Sequence, residues 1–480
     1  MGTPVVLPLW LLLLIMAFAV WALAERVLVP GVRWVLRRRI NRVIDEVNTR
    51  LDISIRPFQL TKRQVLIDRL VYDPKVLEAM QAYAAEQKMP REVAQARVLR
   101  FAREIVPAFN AYIYFRIGYW LAGRLARLLY RVRVGFADNH RLARIDPDAT
   151  VVFVMNHRSN MDYVLAAFLA AEQTVLSYAV GEWARIWPLQ QLIRSMGAYF
   201  VRRRSNDPLY RRVLERYVHM ATREGVCQAV FPEGGLSRDG KLQAPKLGIL
   251  DYMLRGFDAA HGRDIVFVPV GINYDRTLED RSLVRRLDPN APRRSGLFVA
   301  RTALGFIARN LWLMLRSRWR RFGYASVNFG TPVSAREWCR EEDVNLATLS
   351  QDERFRQVER LAGELMQRVA RMVPVLPIPL VAEALLAEPE GVTDFDLKAR
   401  IYRRIETLQA KGAVIMVPSH TRSYTVDTAL DMLKLRHLAI EQDGRHCAAP
   451  EGRDLLAYYA NSLSTWPGDT GSVEIPARRG

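Results

Sequence analysis

The sequence predicts an α/β fold: a mostly parallel or mixed sheet flanked by helices, carrying an N-terminal transmembrane helix and a smaller helical C-terminal domain with a β-hairpin. Two observations predict the core. Four short apolar runs, at 150–155, 198–201, 228–231 and 265–270, read as buried strands. Helical stretches separate them, notably 210–223 and 247–260, and this alternation places helices on the faces of a sheet. A later run at 325–329 adds a further strand. A third observation concerns the N-terminus. No charged residue occurs from Thr3 to Ala24, and 22 helical residues span about 33 Å, the hydrocarbon thickness of a bilayer.

The elements follow in chain order. Trp10 and Trp21 lie near the two ends of the apolar segment, and Arg26, Arg33, Arg37, Arg38, Arg39 and Arg42 follow it. That asymmetry predicts an outside N-terminus and a cytoplasmic remainder, hence a single-pass protein of the inner (cytoplasmic) membrane. A cleaved signal peptide is the competing reading, since Ala22-Leu23-Ala24 resembles a cleavage site, but the basic n-region is missing. Residues 31–135 form a helical, membrane-proximal region. Within it, 107–136 is aromatic and basic, which fits either an interfacial helix or an amphipathic helix packed on the domain. The α/β domain occupies 136–335. The Pro-rich stretch 373–379 marks a boundary inside the C-terminal region, 336–480. Beyond it come helices at 395–411 and 425–436, then a hairpin turning at Asp443-Gly444, an arrangement resembling a winged helix.

Composition narrows the function classes. The 480 residues carry 70 Lys plus Arg against 50 Asp plus Glu, a net charge of +20 that favours acidic partners such as anionic lipid or phosphorylated substrates. Charge alone is a weak nucleic-acid signal, and no nucleic-acid partner is expected. The three cysteines, Cys227, Cys339 and Cys447, are far apart, which argues against a disulfide framework or zinc cluster.

Reactive residues follow the strand runs, as sites do at the carboxyl ends of strands in open α/β sheets. After the first run stands Asn156-His157-Arg158-Ser159-Asn160-Met161-Asp162. His157 and Asp162 are five apart and cannot pair on one continuous helix. They can meet if the strand ends near Met155 and a helix starts at Ser159 or Asn160, both good N-cap residues. The Asp then fixes the imidazole tautomer and leaves its other nitrogen as a base. The same heptapeptide also fits a plain capped helix in which Asp162 satisfies the positive end. The second block delivers Arg202, Arg203 and Arg204, whose planar forks suit phosphate oxygens or form a solvated basic edge. In the third, Phe231 to Lys241, the glycines allow close backbone approach, and Glu233, Arg238 and Lys241 can grip a polyol phosphate. The near-match to a nucleotide P-loop fails because Leu242 replaces the Ser or Thr that holds magnesium. No GxSxG elbow occurs.

These blocks, in this order, resemble those of the membrane glycerol-3-phosphate / dihydroxyacetone-phosphate acyltransferase family, within the phospholipid acyltransferase superfamily. Residues 323–332 (GYASVNFGTP) and 455–463 (LLAYYANSL) resemble later segments of that branch. The resemblance covers roughly residues 90 to 465. It implies a glycerol-3-phosphate O-acyltransferase of phospholipid biosynthesis that uses acyl-CoA or acyl carrier protein, with no cofactor or metal. By resemblance His157 is the general base and Asp162 its partner. Arg202, Glu233 and Gly234 match positions that bind or place the acceptor, and Pro269 matches the fourth motif. One position departs: Leu236 stands where the family usually has Arg, while Arg238 matches another basic position. That departure leaves a lysophosphatidate or other lyso-lipid acceptor open. A non-catalytic membrane lipid-binding protein is the alternative of another class.

Overall fold

The computed structural model describes residues 56–170, 174–181, 189–202, 205–288, 321–417 and 422–466, together with residues 10 and 16. The expected anchor and Arg203 lie outside the described residues. Among the described residues no helix is long and apolar enough to cross a membrane.

Among the described residues the sheet has eight strands: β1 (Arg131–Ala137), β2 (Thr150–Met155), β3 (Ser177–Val180), β4 (Tyr199–Phe200), β5 (Gln228–Val230), β6 (Ile265–Tyr274), β7 (Tyr324–Phe329) and β8 (Val333–Ser334). They lie in the order β1-β7-β6-β2-β5-β3-β4, with β8 also on β6. All neighbours are parallel except β6 with β7 and with β8. From β2 the chain moves outward to β3 and β4, returns to β5, and then crosses to β6 on the opposite side. The order therefore reverses around β2, and the crevice at the carboxyl ends of β2 and β5 is where such sheets bind ligands.

Both sheet faces are covered, which explains the unbroken apolar runs. Side chains alternate along a strand. Val152, Val154, Val230 and Phe267 join one core, together with α1 (Arg63–Val71), α2 (Pro74–Glu86) and α3 (Arg91–Ile105). Val151, Phe153, Met155, Val268 and Val270 join the other, with α4 (Tyr119–Leu129) and α5 (Met161–Ala170). The first face also carries α6 (Pro208–Arg223), α7 (Gly248–Leu254) and α8 (Gln351–Met372). Local signals start these helices. The Asp207 carboxylate accepts from the backbone N–H groups of Leu209 and Tyr210, with Pro208 at the first helical position. Ser350 and Glu353 form a capping box on α8.

Two sequence readings are corrected. The basic aromatic stretch 107–136 is not one helix: a π-helical turn, Ile113–Gly118, runs into α4, and the chain then becomes the edge strand β1, parallel to β7. The Pro-rich stretch does not merely separate regions. Pro377 begins α9 (Pro377–Leu386), a helix buried almost all round, and Pro at the first turn forfeits no internal bond. Around α9 pack α10 (Asp394–Ala410), α11 (Arg422–Leu435) and α12 (Arg453–Ala460). The hairpin of β9 (Ala439–Gln442) and β10 (Arg445–Ala448) turns at Asp443-Gly444, both at positive φ.

Candidate active site

Strand β2 ends at Met155 and α5 begins at Met161, so His157 and Asp162 sit on a tight connection rather than on one helix. His157 Nδ1 lies 2.9 Å from Asp162 Oδ2, and both residues are fully buried. The same oxygen accepts from the backbone N–H groups of Arg158 at 2.7 Å and Ser159 at 3.0 Å, while Oδ1 accepts from the Tyr274 hydroxyl at 2.6 Å. Burial, and then the Asp162 charge, push the Tyr274 phenol well above its ordinary pKa, so it stays a donor. Asp162 is thus held by four hydrogen bonds, and an acceptor so placed orients Nδ1–H toward itself. Nε2 is left to act on a ligand.

That second nitrogen is 3.4 Å from the Tyr163 hydroxyl. The His157 ring also packs 4.3 Å from Phe231 and 5.3 Å from Tyr163, centroid to centroid. These rings line a cavity of about 270 Å³ that continues past Val180, Val201, Leu214, Val230 and Ile249. Such a volume, mostly apolar with few polar groups, suits an acyl chain. Arg202, Arg211 and Lys246 bring positive charge to its wall.

The remaining sequence-predicted residues take different places. Arg202 lines the cavity, but its fork is engaged by Glu104, with Nε at 2.8 Å and Nη2 at 2.6 Å from the carboxylate. Glu233 is a bridge. Its Oε1 accepts from the His157 backbone N–H at 2.7 Å and its Oε2 from that of Gln243 at 2.9 Å. Burial raises its pKa to about 7 against those two bonds. Gly234 takes φ +66° and forms part of the cavity wall beside Lys246. Lys241 lines a separate polar cleft. Arg238 is exposed and lines neither opening. Pro269 sits inside the sheet, opposite Val154, also away from both openings. It occupies the point where the partner of β6 changes from β8 to β7; its carbonyl accepts from the Gly330 N–H at 2.7 Å, and proline has no N–H with which to return that bond.

Sequence reasoning did not single out Tyr274 as a partner of the dyad, nor Glu279. The Glu279 carboxylate accepts from Ser159 Oγ at 2.8 Å and Asn160 Nδ2 at 3.0 Å, fixing the turn that carries the dyad. No local signal marks either contact, because the partners are 112 to 120 residues apart. Among the described residues no group of His, Cys, Asp and Glu is placed to hold a metal ion.

A model described as Acyltransferase matches residues 133–273, and one described as Glycerol-3-phosphate acyltransferase C-terminal region matches residues 310–466. The chain is 30% identical to the glycerol-3-phosphate acyltransferase of Ectopseudomonas mendocina (strain ymp) over 351 residues, covering 71% of this chain and 41% of that one. It is 29% identical to that of Pseudomonas putida (strain W619) over 421 residues, covering 84% and 49%. It therefore spans less than half the length of these curated relatives. A solved structure, the 1-acyl-sn-glycerophosphate (LPA) acyltransferase PlsC from Thermotoga maritima, is 18% identical, with a TM-score of 0.29 over 63% of this chain and 98% of that one. That superposition is too loose to bear on the fold. Two matched regions in succession on one chain, with relatives of one name across most of it, place the protein in the glycerol-3-phosphate acyltransferase family.

Proposed function

We propose that the protein transfers a fatty acyl group from a thioester, acyl-CoA or acyl carrier protein, to a hydroxyl of glycerol 3-phosphate. The observation that carries the reading is a buried imidazole held by a carboxylate 2.9 Å away and lining an apolar cavity large enough for an alkyl chain. The acceptor hydroxyl gives its proton to His157 Nε2 as its oxygen attacks the thioester carbonyl. The tetrahedral intermediate then collapses, breaking the C–S bond, and the imidazolium returns the proton to the leaving thiolate. Asp162, on the far side of the ring, steadies the imidazolium. No acyl-enzyme is required.

The proposed setting is the cytoplasmic face of the inner membrane, beside anionic lipid. Support comes from α4, whose outer face exposes Trp120, Leu121, Leu125 and Leu128 among Arg124 and Arg127. Apolar side chains that remain in water with arginines between them suit the headgroup region of an anionic bilayer.

The direct test supplies purified protein with glycerol 3-phosphate and each thioester donor in turn. His157→Ala is expected to lower turnover by about 10² to 10⁴ with the fold retained, the range a general base contributes. Undiminished transfer by that variant would remove His157 from the chemistry.

A further inference from the structure

The turn that carries His157 leads into α5, and two consecutive residues of that helix reach the two nitrogens of the imidazole. Neighbouring residues on a helix point about 100° apart, so they can straddle a ring set against its first turn. Asp162 takes Nδ1 at 2.9 Å, and Tyr163 brings its hydroxyl to 3.4 Å from Nε2. With Nδ1 directing its proton at Asp162, Nε2 is an acceptor to which the Tyr163 O–H can donate. At 3.4 Å that bond is long, so the hydroxyl can leave the ring for a better acceptor.

The ring of Tyr163 is buried and firmly held. It stacks 5.4 Å from Tyr178, meets Phe231 edge-on at 5.0 Å and meets His157 edge-on at 5.3 Å. Phenylalanine would make every one of these ring contacts. What tyrosine adds is a hydroxyl in a mostly apolar wall, where a polar group is costly unless it serves a partner. His157 and Tyr163 both line the cavity proposed for the acyl chain. A base takes its proton across about 2.6 to 3.2 Å, and reacting atoms approach to about 3 to 3.5 Å. The carbonyl attacked by an oxygen at Nε2 therefore lies within reach of the Tyr163 hydroxyl. Other polar groups of the wall are engaged elsewhere: the Arg202 fork by Glu104, and the Tyr210 hydroxyl by the Arg202 N–H and the Phe200 carbonyl.

We propose that Tyr163 is a catalytic residue whose hydroxyl donates to the thioester carbonyl oxygen as that oxygen gathers charge. The role rests on the acyl-transfer reading and deepens it. In the resting site the O–H covers Nε2; when the acceptor hydroxyl takes that place, it turns to the carbonyl oxygen. As the acceptor oxygen bonds to the carbonyl carbon, the C=O electron pair moves onto oxygen and the hydrogen bond strengthens with the charge. When the C–S bond breaks, the pair returns and the hydrogen bond relaxes. No proton leaves Tyr163. A donor already fixed by its aromatic neighbours, in a site closed to water, acts on the developing charge without reorganising.

The test compares Tyr163→Phe with wild type in the purified full chain, assayed for transfer to glycerol 3-phosphate. The variant's kcat is expected to fall about 10²- to 10³-fold, the loss typical of one oxyanion donor, with KM for donor and acceptor little changed. A second measurement uses the S-alkyl thioether of whichever donor wild type accepts, CoA or acyl carrier protein, which keeps the chain and lacks the carbonyl. Variant and wild type are expected to bind it equally in calorimetry. Equal binding shows the cavity intact, so the kcat comparison stands even where the melting temperature has fallen. An unchanged kcat overturns the role, and so does a loss that falls on KM, because the hydroxyl would then hold the ground state. Weaker thioether binding by the variant also overturns it, since the hydroxyl would then shape the cavity rather than answer a charge. A wild type that acylates no acceptor, lysophosphatidate included, sinks the acyl-transfer reading and the role of Tyr163 with it. An active wild type matched by Tyr163→Phe sinks the role alone.

Discussion

At the scale of single residues, the site is built by groups that hold one another through the backbone. Glu233 shows this most clearly, because its carboxylate joins the N–H of His157 to the N–H of Gln243. Its folded pKa of about 7 exceeds its ordinary value of 4.5 because burial penalises the charge. Between those values the native state keeps a proton that the unfolded chain has released, so stability is greatest below about 4.5 and declines as pH rises through 7. Asp275 acts in the same direction, since burial raises it to about 7 as well. The melting temperature of the wild-type protein should therefore fall between pH 5 and pH 8. Glu233→Gln should flatten part of that slope, leaving the Asp275 share, and should be less stable at pH 5 because one amide oxygen cannot serve two donors. The loss should be on the order of 1 to 3 kcal/mol. An undiminished slope in the variant would show that the titrating group is elsewhere. The dyad itself was legible in the sequence because its five-residue spacing and its capping residues are local. The grip of Glu233 on His157, 76 residues away, was not, nor was the capture of Arg202 by Glu104 across 98 residues. A triplet of arginines reads as a phosphate cradle until the fold supplies a nearer carboxylate.

Element by element, periodicity served where one environment ran the length of a segment and failed where it changed. The strands β2 and β6 are buried on both faces and read as unbroken apolar runs. Strand β1 is an edge, with Arg131, Arg133, Val134 and Phe136 exposed, and its mixed pattern looked like a continuation of the helix before it. Helix α9 was hidden by its prolines, which mark a helix start as readily as a loop. Helix α4 carries the consequence that can be measured. Its inner residues Ala122, Ala126 and Leu129 are buried, so the exposed Trp120, Leu121, Leu125 and Leu128 are not spare core residues. Replacing Trp120 and Leu125 with glutamate should leave the fold intact, because both point outward, yet weaken the association of residues 56–480 with anionic vesicles. Co-sedimentation with phosphatidylglycerol vesicles should show a loss of about tenfold or more, and neutral vesicles a smaller one. Equal binding by the doubly substituted protein would assign the surface to some other partner.

Across the whole molecule, the C-terminal region is part of the site's scaffold rather than an appendage. Gly240 has φ +87°, and a Cβ there would lie 1.9 Å from the Tyr458 carbonyl oxygen, so loop and helix α12 meet backbone to backbone. Asn461 Nδ2 donates to the Asp239 carbonyl at 2.9 Å, and Asn273 Nδ2 donates to the Pro374 carbonyl at 2.9 Å. A further tie is ionic. Asp280, just after the Glu279 that braces the dyad's turn, accepts from Arg436 Nη2 and from the Tyr459 hydroxyl, and all three groups are nearly buried. Removing one partner of such a pair strands a charge in a place it cannot be solvated, at a typical cost of about 3 to 5 kcal/mol, whereas replacing both with apolar groups is often close to neutral. Arg436→Leu should therefore destabilise the protein by roughly that amount and reduce turnover with it, because the Glu279 turn loses its support. The double replacement of Arg436 and Asp280 by leucine should recover most of the stability. The two scales separate at this point. If the double variant regains its melting temperature and its activity together, the C-terminal region serves the site only by docking against it. If stability returns while activity does not, the ion pair also sets the position of the turn that carries His157, and the region is a working part of the catalytic machinery.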